Sequence, residues 1–276
     1  GYEYTNDKGE KKKGYFRYWA PGRVIEHDGK FYLYVTFVKP GDKMGTYVLV
    51  ADRPEGPFRF TEGKGLFVSG EEVDSPAIIN DIDGEPFIDD DGTGYIFWRR
   101  RNAARLSADR LHLDGEPVTL KTVRQGYSEG PVMFKRKGIY YYIYTLSGHQ
   151  NYANAYMMSR ESPLTGFVKP EGNDIFLFSS PENQVWGPGH GNVFYDEGTD
   201  EYIFLYLEYG DGGTTRQIYA NWMEFNDDGT IKTLVPDMRG VGCLATPQEK
   251  RTNLSLQSHF YASSEKEPCT SVVSIE

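Results

Sequence analysis

The sequence predicts an all-β fold, a propeller of four-stranded antiparallel blades, and three observations predict it. Four stretches share one hairpin design: an apolar run, a turn containing Gly, then an aromatic-rich run. After a hairpin come two further strand-like runs, at 46–51 and 58–61 in the first unit and at 155–159 and 167–169 in the third. The unit repeats at propeller-blade spacing, and no amphipathic helix interrupts it. A β-sandwich would not account for a repeat of this length.

The first hairpin places Val24-Ile25 and Phe31-Tyr32-Leu33-Tyr34-Val35 around Asp28-Gly29. The second places Phe87-Ile88 and Tyr95-Ile96-Phe97-Trp98 around Asp89-Asp90-Asp91-Gly92. In the third, Val132 to Phe134 and Ile139 to Tyr144 flank Lys137-Gly138. In the fourth, Val193-Phe194-Tyr195 and Tyr202-Ile203-Phe204 flank a turn containing Gly198. Asp-Gly and Lys-Gly supply the positive φ that tight hairpin turns require.

A short motif precedes the first strand of each unit: Trp19-Ala20-Pro21, Ile82-Asp83-Gly84, Glu129-Gly130-Pro131 and Gly187-Pro188-Gly189-His190-Gly191. From Trp19 to Asp83 is 64 positions, from Asp83 to Glu129 46, and from Glu129 to His190 61. The innermost strands of a propeller begin around one central channel, so equivalent positions converge although they lie far apart in the chain. Asp83, Glu129 and His190 are therefore expected at one funnel. Taken alone, Glu129 reads either as a solvated turn residue or as an acid held on stiff backbone, since Pro131 restricts its neighbours and Gly130 lets another group approach closely.

Composition narrows the partners. A formal net charge of −10 over 276 residues opposes binding to nucleic acid or to anionic membranes. No apolar run is long enough for a membrane helix. With 21 Tyr and 16 Phe, the chain suits a neutral ligand such as a sugar, although most of these rings must pack within sheets. Cys243 and Cys269 have no zinc-type spacing and read as a pair or as two buried thiols. The first residue is Gly and no signal peptide is present, so the chain reads as a processed or excised piece.

The four motifs, in this order and spread over residues 15–235, resemble glycoside hydrolase family 43, whose pattern is a five-bladed propeller and whose members include α-L-arabinofuranosidases and β-xylosidases. The resemblance implies an inverting hydrolase with a base Asp, an acid Glu and a third Asp that tunes the acid. Glu129 matches the acid and Asp83 the tuning residue. His190 matches a histidine near a central cation, often calcium and usually held through waters; a hydrogen-bonded histidine without metal is the alternative. The chain departs from the pattern twice. No Ala-Asp-Pro-like base motif precedes Trp19, so the family's first blade is not recognisable and four blades are. Asp83 is followed by Gly84 where many members have Pro. The base then lies on another segment or is lost, and a non-catalytic sugar-binding propeller is the rival from another class.

The resemblance implies an oligo- or polysaccharide substrate, a secreted or periplasmic location, and action on α-L-arabinofuranosides, with β-xylosides and β-galactofuranosides as alternatives. Trp19, Trp98, Trp186 and Arg216 are the substrate-binding candidates, with core packing or surface ion pairing as their plain alternatives. One of Arg99, Arg100 and Arg101 is expected to turn inward to a carboxylate. Asp89, Asp90 and Asp91 read as turn residues. Phe37, Glu208, Tyr209 and His149 are weaker candidates for the pocket. Residues 1–14 read as a polar N-terminal segment, 15–240 as the propeller, and 241–276 as a linker or tail, faintly like the start of a discoidin-type sandwich.

Overall fold

The computed structural model describes residues 2–242, except 7, 15–16, 40–42, 62–75, 147–150 and 211–215. His149, Cys243, Cys269 and nearly all of the tail lie outside the described residues. Among these residues, four antiparallel sheets form the blades of a four-blade β-propeller, with almost no helix.

In the first blade the inner edge is split between β3 (Arg17–Trp19) and β4 (Ile25–His27), and both pair with the long β5 (Lys30–Lys39). β6 (Lys43–Ala51) pairs on the other side of β5. The second blade runs β7 (Glu85–Ile88), β8 (Gly94–Trp98), β9 (Asn102–Leu106), β10 (Leu113–Thr119). The third runs β11 (Ser128–Arg136), β12 (Ile139–Leu146), β13 (Ala153–Ser159), β14 (Ile175–Leu177). The fourth has three described strands, β15 (Gly189–Asp196), β16 (Glu201–Glu208) and β17 (Gln217–Met223). The four expected hairpins are β4–β5, β7–β8, β11–β12 and β15–β16.

Three details differ from the sequence reading. The polar segment at the N-terminus contains a hairpin of its own, β1 (Tyr2–Thr5) with β2 (Lys11–Gly14). The runs at 58–61 and 167–169 each make only an isolated bridge, at Arg59 and at Val168. The outer strand of the third blade is instead Ile175–Leu177, three residues too short to leave a period-2 signature.

The core lies between blades because successive strand residues face opposite sides. Val132, Ile143, Tyr141 and Tyr156 of blade three meet Phe204 and Tyr206 of blade four. The other face of blade three, with Met133, Tyr142 and Tyr144, meets Phe87 and Phe97 of blade two. Each such buried apolar side chain contributes about 1.5–3 kcal/mol relative to exposure.

Candidate active site

All four motifs enter their blades through the left-handed backbone region, at Ala20 (φ 41°), Asp83 (φ 68°), Gly130 (φ 50°) and His190 (φ 42°), the fourth also at Gly187 (φ 58°). Three of these are not glycine, and each such conformation costs about 1–3 kcal/mol unless its surroundings enforce it. In blades three and four the register shifts at this point, between Glu129 and Val132 and between Gly189 and Asn192. The irregularity bends each strand near its start while Glu129 stays paired with Thr145 and Gly189 with Leu207.

Neighbouring blades hold these turns in place. The Asp83 N–H donates to Thr36 Oγ1 at 3.0 Å, and Thr46 Oγ1 donates to the Asp81 carbonyl at 3.0 Å. A Cβ at Gly84 would lie 2.5 Å from Thr46 Cγ2, which explains the glycine there: nothing larger fits against blade one. The His190 N–H donates to Thr145 Oγ1 at 2.8 Å, and Asn154 Nδ2 donates to the Pro188 carbonyl at 3.0 Å. Thr145 and Asn154 are fully buried on blade three, so blade three fixes the Gly-Pro-Gly-His loop of blade four.

The three expected residues meet. Gly130 N–H donates to Asp83 Oδ2 at 3.1 Å, and His190 Nδ1 lies 3.9 Å from the same oxygen. A Cβ on Gly130 would sit 2.8 Å from His190 Cα, so the glycine lets blades three and four touch at this point. Asp83 and Glu129 are only 4% and 8% exposed, yet both line one cleft of about 850 Å³. Its far walls are Tyr18, Trp19 and Met44 of blade one and Leu207, Tyr209 and Arg216 of blade four.

Glu129 is held at both ends. Tyr127 donates its hydroxyl to Oε2, and Tyr152 donates to Oε1. Burial pushes the Glu129 carboxyl above the usual glutamate range, and the negative Asp83 adds to the shift. The Tyr127 hydrogen bond and the charges of His190 and Arg216 act the other way.

The family is decided by the chain's relatives. The sequence model of glycosyl hydrolases family 43 matches residues 2–231. The chain belongs to that family. A β-D-galactofuranosidase of Aspergillus niger is 30% identical over 243 residues, covering 81% of this chain and 66% of that protein. An extracellular endo-α-(1→5)-L-arabinanase of Thermotoga petrophila is 24% identical over 262 residues, covering 76% and 55%. A solved glycoside hydrolase superposes with a TM-score of 0.76 at 44% identity, covering 86% of this chain and 53% of that one. The chain thus spans between half and two-thirds of the length of these relatives.

The other candidates divide. Trp19 and Arg216 line the cleft; Arg216 lies with its guanidinium over the Tyr209 ring at 4.8 Å and donates to the Tyr209 hydroxyl. Trp98 does not reach the cleft. It shares a face of β8 with Ile96, is 5% exposed, and packs in the core with Tyr34 and Ala104. Trp186 is not part of the cleft wall either; its N–H donates to Glu208 Oε1 at 3.0 Å and its carbonyl accepts from Tyr209 N–H at 2.9 Å. Of the three arginines, Arg99 turns inward, lines the cleft and pairs with Asp81 at 2.6 Å. Asp89 accepts from Lys135 at 2.8 Å and from Tyr140 at 2.7 Å, while Asp91 caps its turn at Thr93, so neither serves the cleft. Phe37 is core. Tyr209 is a wall residue and Glu208 a buried support.

Sequence reading missed Tyr127 and Tyr152 as site residues. Tyr127 had a signal, because it lies two positions before Glu129 and so on the same side of an extended strand. Tyr152 follows a loop and carried none.

Calcium takes six to eight oxygen ligands. His190 offers nitrogen, and among the described residues no group of three or more His, Cys, Asp or Glu side chains gathers to hold a metal. Glu85, the other carboxylate by the channel, is engaged by Arg23 at 2.7 Å and Asn192 at 3.0 Å. The described side chains do not form a calcium cage.

Proposed function

We propose that the protein is an inverting glycoside hydrolase that removes terminal or branching sugars from plant polysaccharides, with α-L-arabinofuranosides as the substrate class. In this reading Glu129 is the general acid and Asp83 tunes and orients it. One observation carries the reading: a buried carboxyl on a cleft wall, with a second buried carboxylate hydrogen-bonded to the very next residue. A general acid must arrive protonated near neutral pH, and burial beside a negative charge achieves that. Glu129 gives its proton to the glycosidic oxygen as the C–O bond breaks, and water attacks the anomeric carbon from the opposite face. Inverting enzymes separate acid and base by about 6.5–9.5 Å to leave room for that water.

Among the described residues, Asp83 and Glu129 are the only carboxylates on the cleft wall. A base from polypeptide outside the described residues completes the trio in this reading. Blade four carries exposed apolar side chains beside the cleft, Leu205 and Ile218, against which such a segment would pack. Trp19 and Arg216 meet the sugar, the aromatic face by stacking and the guanidinium by hydrogen bonds to hydroxyls. The substrate class follows the relatives named for an α-(1→5)-L-arabinan and for β-D-galactofuranosides, and the extracellular relative supports secretion.

That the described cleft wall carries two carboxylates and not three favours one rival reading, a sugar-binding propeller without turnover. The test is hydrolysis of arabinofuranoside, xyloside and galactofuranoside substrates by the full-length gene product and its Glu129→Gln variant. Loss of the acid is expected to cost about 10²–10⁴-fold with sugar leaving groups. Equal rates for the two proteins would leave the binding-module reading standing.

A further inference from the structure

The two tyrosines on Glu129 are not equivalent. Tyr152 is 5% exposed. Its ring packs edge-on against Tyr209 with centroids 5.2 Å apart, and the Gly189 backbone lies so close that a Cβ there would be 2.6 Å from the ring. It has no room to swing. Tyr127 is 50% exposed and stands at the cleft rim. Burial and the adjacent Glu129 carboxylate hold the Tyr127 phenol well above its ordinary range, so it stays a proton donor at working pH.

Together the tyrosines donate to both carboxyl oxygens. Each oxygen keeps a second lone pair, but the protonated oxygen of a neutral carboxyl is a weak acceptor, so the phenol on that oxygen is the one a leaving group can displace. We propose that Tyr152 is a fixed positioning residue that anchors Oε1, and that Tyr127 is an exchangeable cover on Oε2, the oxygen that delivers the proton. The inference rests on the general-acid reading of Glu129.

In the resting site Tyr127 donates to Oε2 and keeps the carboxyl in place. Substrate brings its glycosidic oxygen to Oε2 and displaces the Tyr127 hydroxyl toward the rim. The Oε2–H bond then breaks, the proton goes to the glycosidic oxygen, and that oxygen leaves with the electron pair of its bond to the anomeric carbon. The carboxylate formed is stabilised at Oε1 by the Tyr152 hydroxyl throughout. Hydrogen bonds from both phenols favour the charged carboxylate and so hold the Glu129 pKa down against burial.

The two roles separate by pH. The basic limb of kcat/KM reports the acid in the free enzyme, and that of kcat reports it in the complex. The experiment uses the full-length protein, an oligosaccharide substrate and the variants Tyr152→Phe, Tyr127→Phe and Glu129→Gln. Tyr152→Phe is expected to lower kcat by about 10–100-fold through misplacement of the carboxyl, and to move both basic limbs to higher pH. Tyr127→Phe is expected to lower KM and to move the limb of kcat/KM to higher pH, while the limb of kcat stays in place because that contact is already open in the complex.

The proposal is overturned if Tyr152→Phe moves neither limb, or if Tyr127→Phe moves the limb of kcat as far as that of kcat/KM. Should Tyr152→Phe fail to fold, the split measured with Tyr127→Phe decides alone. Glu129→Gln separates the two levels of the argument. Wild-type turnover in that variant removes the general-acid reading itself, whereas an inactive Glu129→Gln with unmoved limbs in the tyrosine variants removes only the division of labour.

Discussion

Blades three and four share an interface but differ in what lies on their remaining faces. Blade three is covered on both sides. Val132, Tyr141 and Ile143 are buried toward blade four, and Met133, Tyr142 and Tyr144 are buried toward blade two. Blade four buries Tyr202, Phe204 and Tyr206 against blade three, while on its opposite face Phe194 is 45%, Leu205 38% and Ile218 85% exposed. The Glu129 carboxyl stands on the doubly covered sheet. A one-residue slip in β11 would turn all of its inward side chains outward, and two packed faces forbid it. The open face of blade four, by contrast, borders the cleft through Leu207.

Blade four does not hang free. Arg23 of blade one donates to Glu85 of blade two at 2.7 Å and to Asn192 of blade four at 2.8 Å, so one guanidinium joins three blades across the channel. Polar pinning at the channel replaces apolar packing along the seam.

The sharpest way to test the contrast is at Glu129 itself. Its folded-state pKa is raised by burial, so the neutral form suits the fold and the ionised form does not. The stability it supports is present below the ordinary glutamate pKa and is lost as pH rises through the higher folded value. Glu129→Gln should therefore lose turnover and yet melt at a higher temperature than wild type near neutral pH. That difference should shrink on acidification. Equal melting curves at every pH would mean that Glu129 is not held against its charge.

Next in size is the edge of the covered blade. Arg124 grips Asp174 with two bonds, 2.6 and 2.8 Å, and the Asp174 side chain is 2% exposed whereas that of Arg124 is 40% exposed. Arg124→Ala strands a buried carboxylate, with an expected loss of about 3 kcal/mol, near the low end for such pairs because the arginine is partly solvated. Urea denaturation reads it. A loss under about 1 kcal/mol would show the pair to be worth no more than a surface one.

Gly130→Ala probes the contact between the two blades directly. The added methyl meets His190 backbone at 2.8 Å, and φ is 50°. Overpacking of this kind costs about 1–3 kcal/mol. Turnover should fall further than stability accounts for, because Glu129 precedes the displaced residue. A variant of normal stability and normal kcat would mean that blades three and four tolerate a shift exactly where the site needs them fixed, and would argue against convergence as the source of function.

The repeat was legible because turn chemistry is local. Asp28-Gly29 and Lys137-Gly138 declare their hairpins without help from the rest of the chain. Convergence of Asp83, Glu129 and His190 followed from that repeat by geometry alone. What failed to show was whatever depends on which face a residue takes. Trp98 reads as a sugar platform until its parity with Ile96 puts it in the core. Tyr152 is invisible because its partner, Glu129, lies 23 positions back and the two meet only through pairing of β11, β12 and β13. An inward arginine among Arg99, Arg100 and Arg101 was legible from the run itself, unusual in so acidic a chain, but neither its identity as Arg99 nor its partner Asp81 was.

The smallest effect belongs to the open face. Ile218 is 85% exposed on β17, beside Leu207 in register. Ile218→Ser removes an apolar group that already meets water, so stability should move by no more than about 0.5 kcal/mol. If residues 1–242 alone set the environment of this face, nothing else should change in the full-length protein. If further polypeptide packs on the seam, the same substitution becomes a large-to-small change in a buried contact and should cost about 2 kcal/mol or more. Comparing the loss in the full-length gene product with the loss in residues 1–276 therefore reads out whether blade four's second face is covered in the working enzyme. A larger loss in the full-length protein would bring the cleft, the seam and the third carboxylate under one explanation; equal small losses would leave the seam as open solvent.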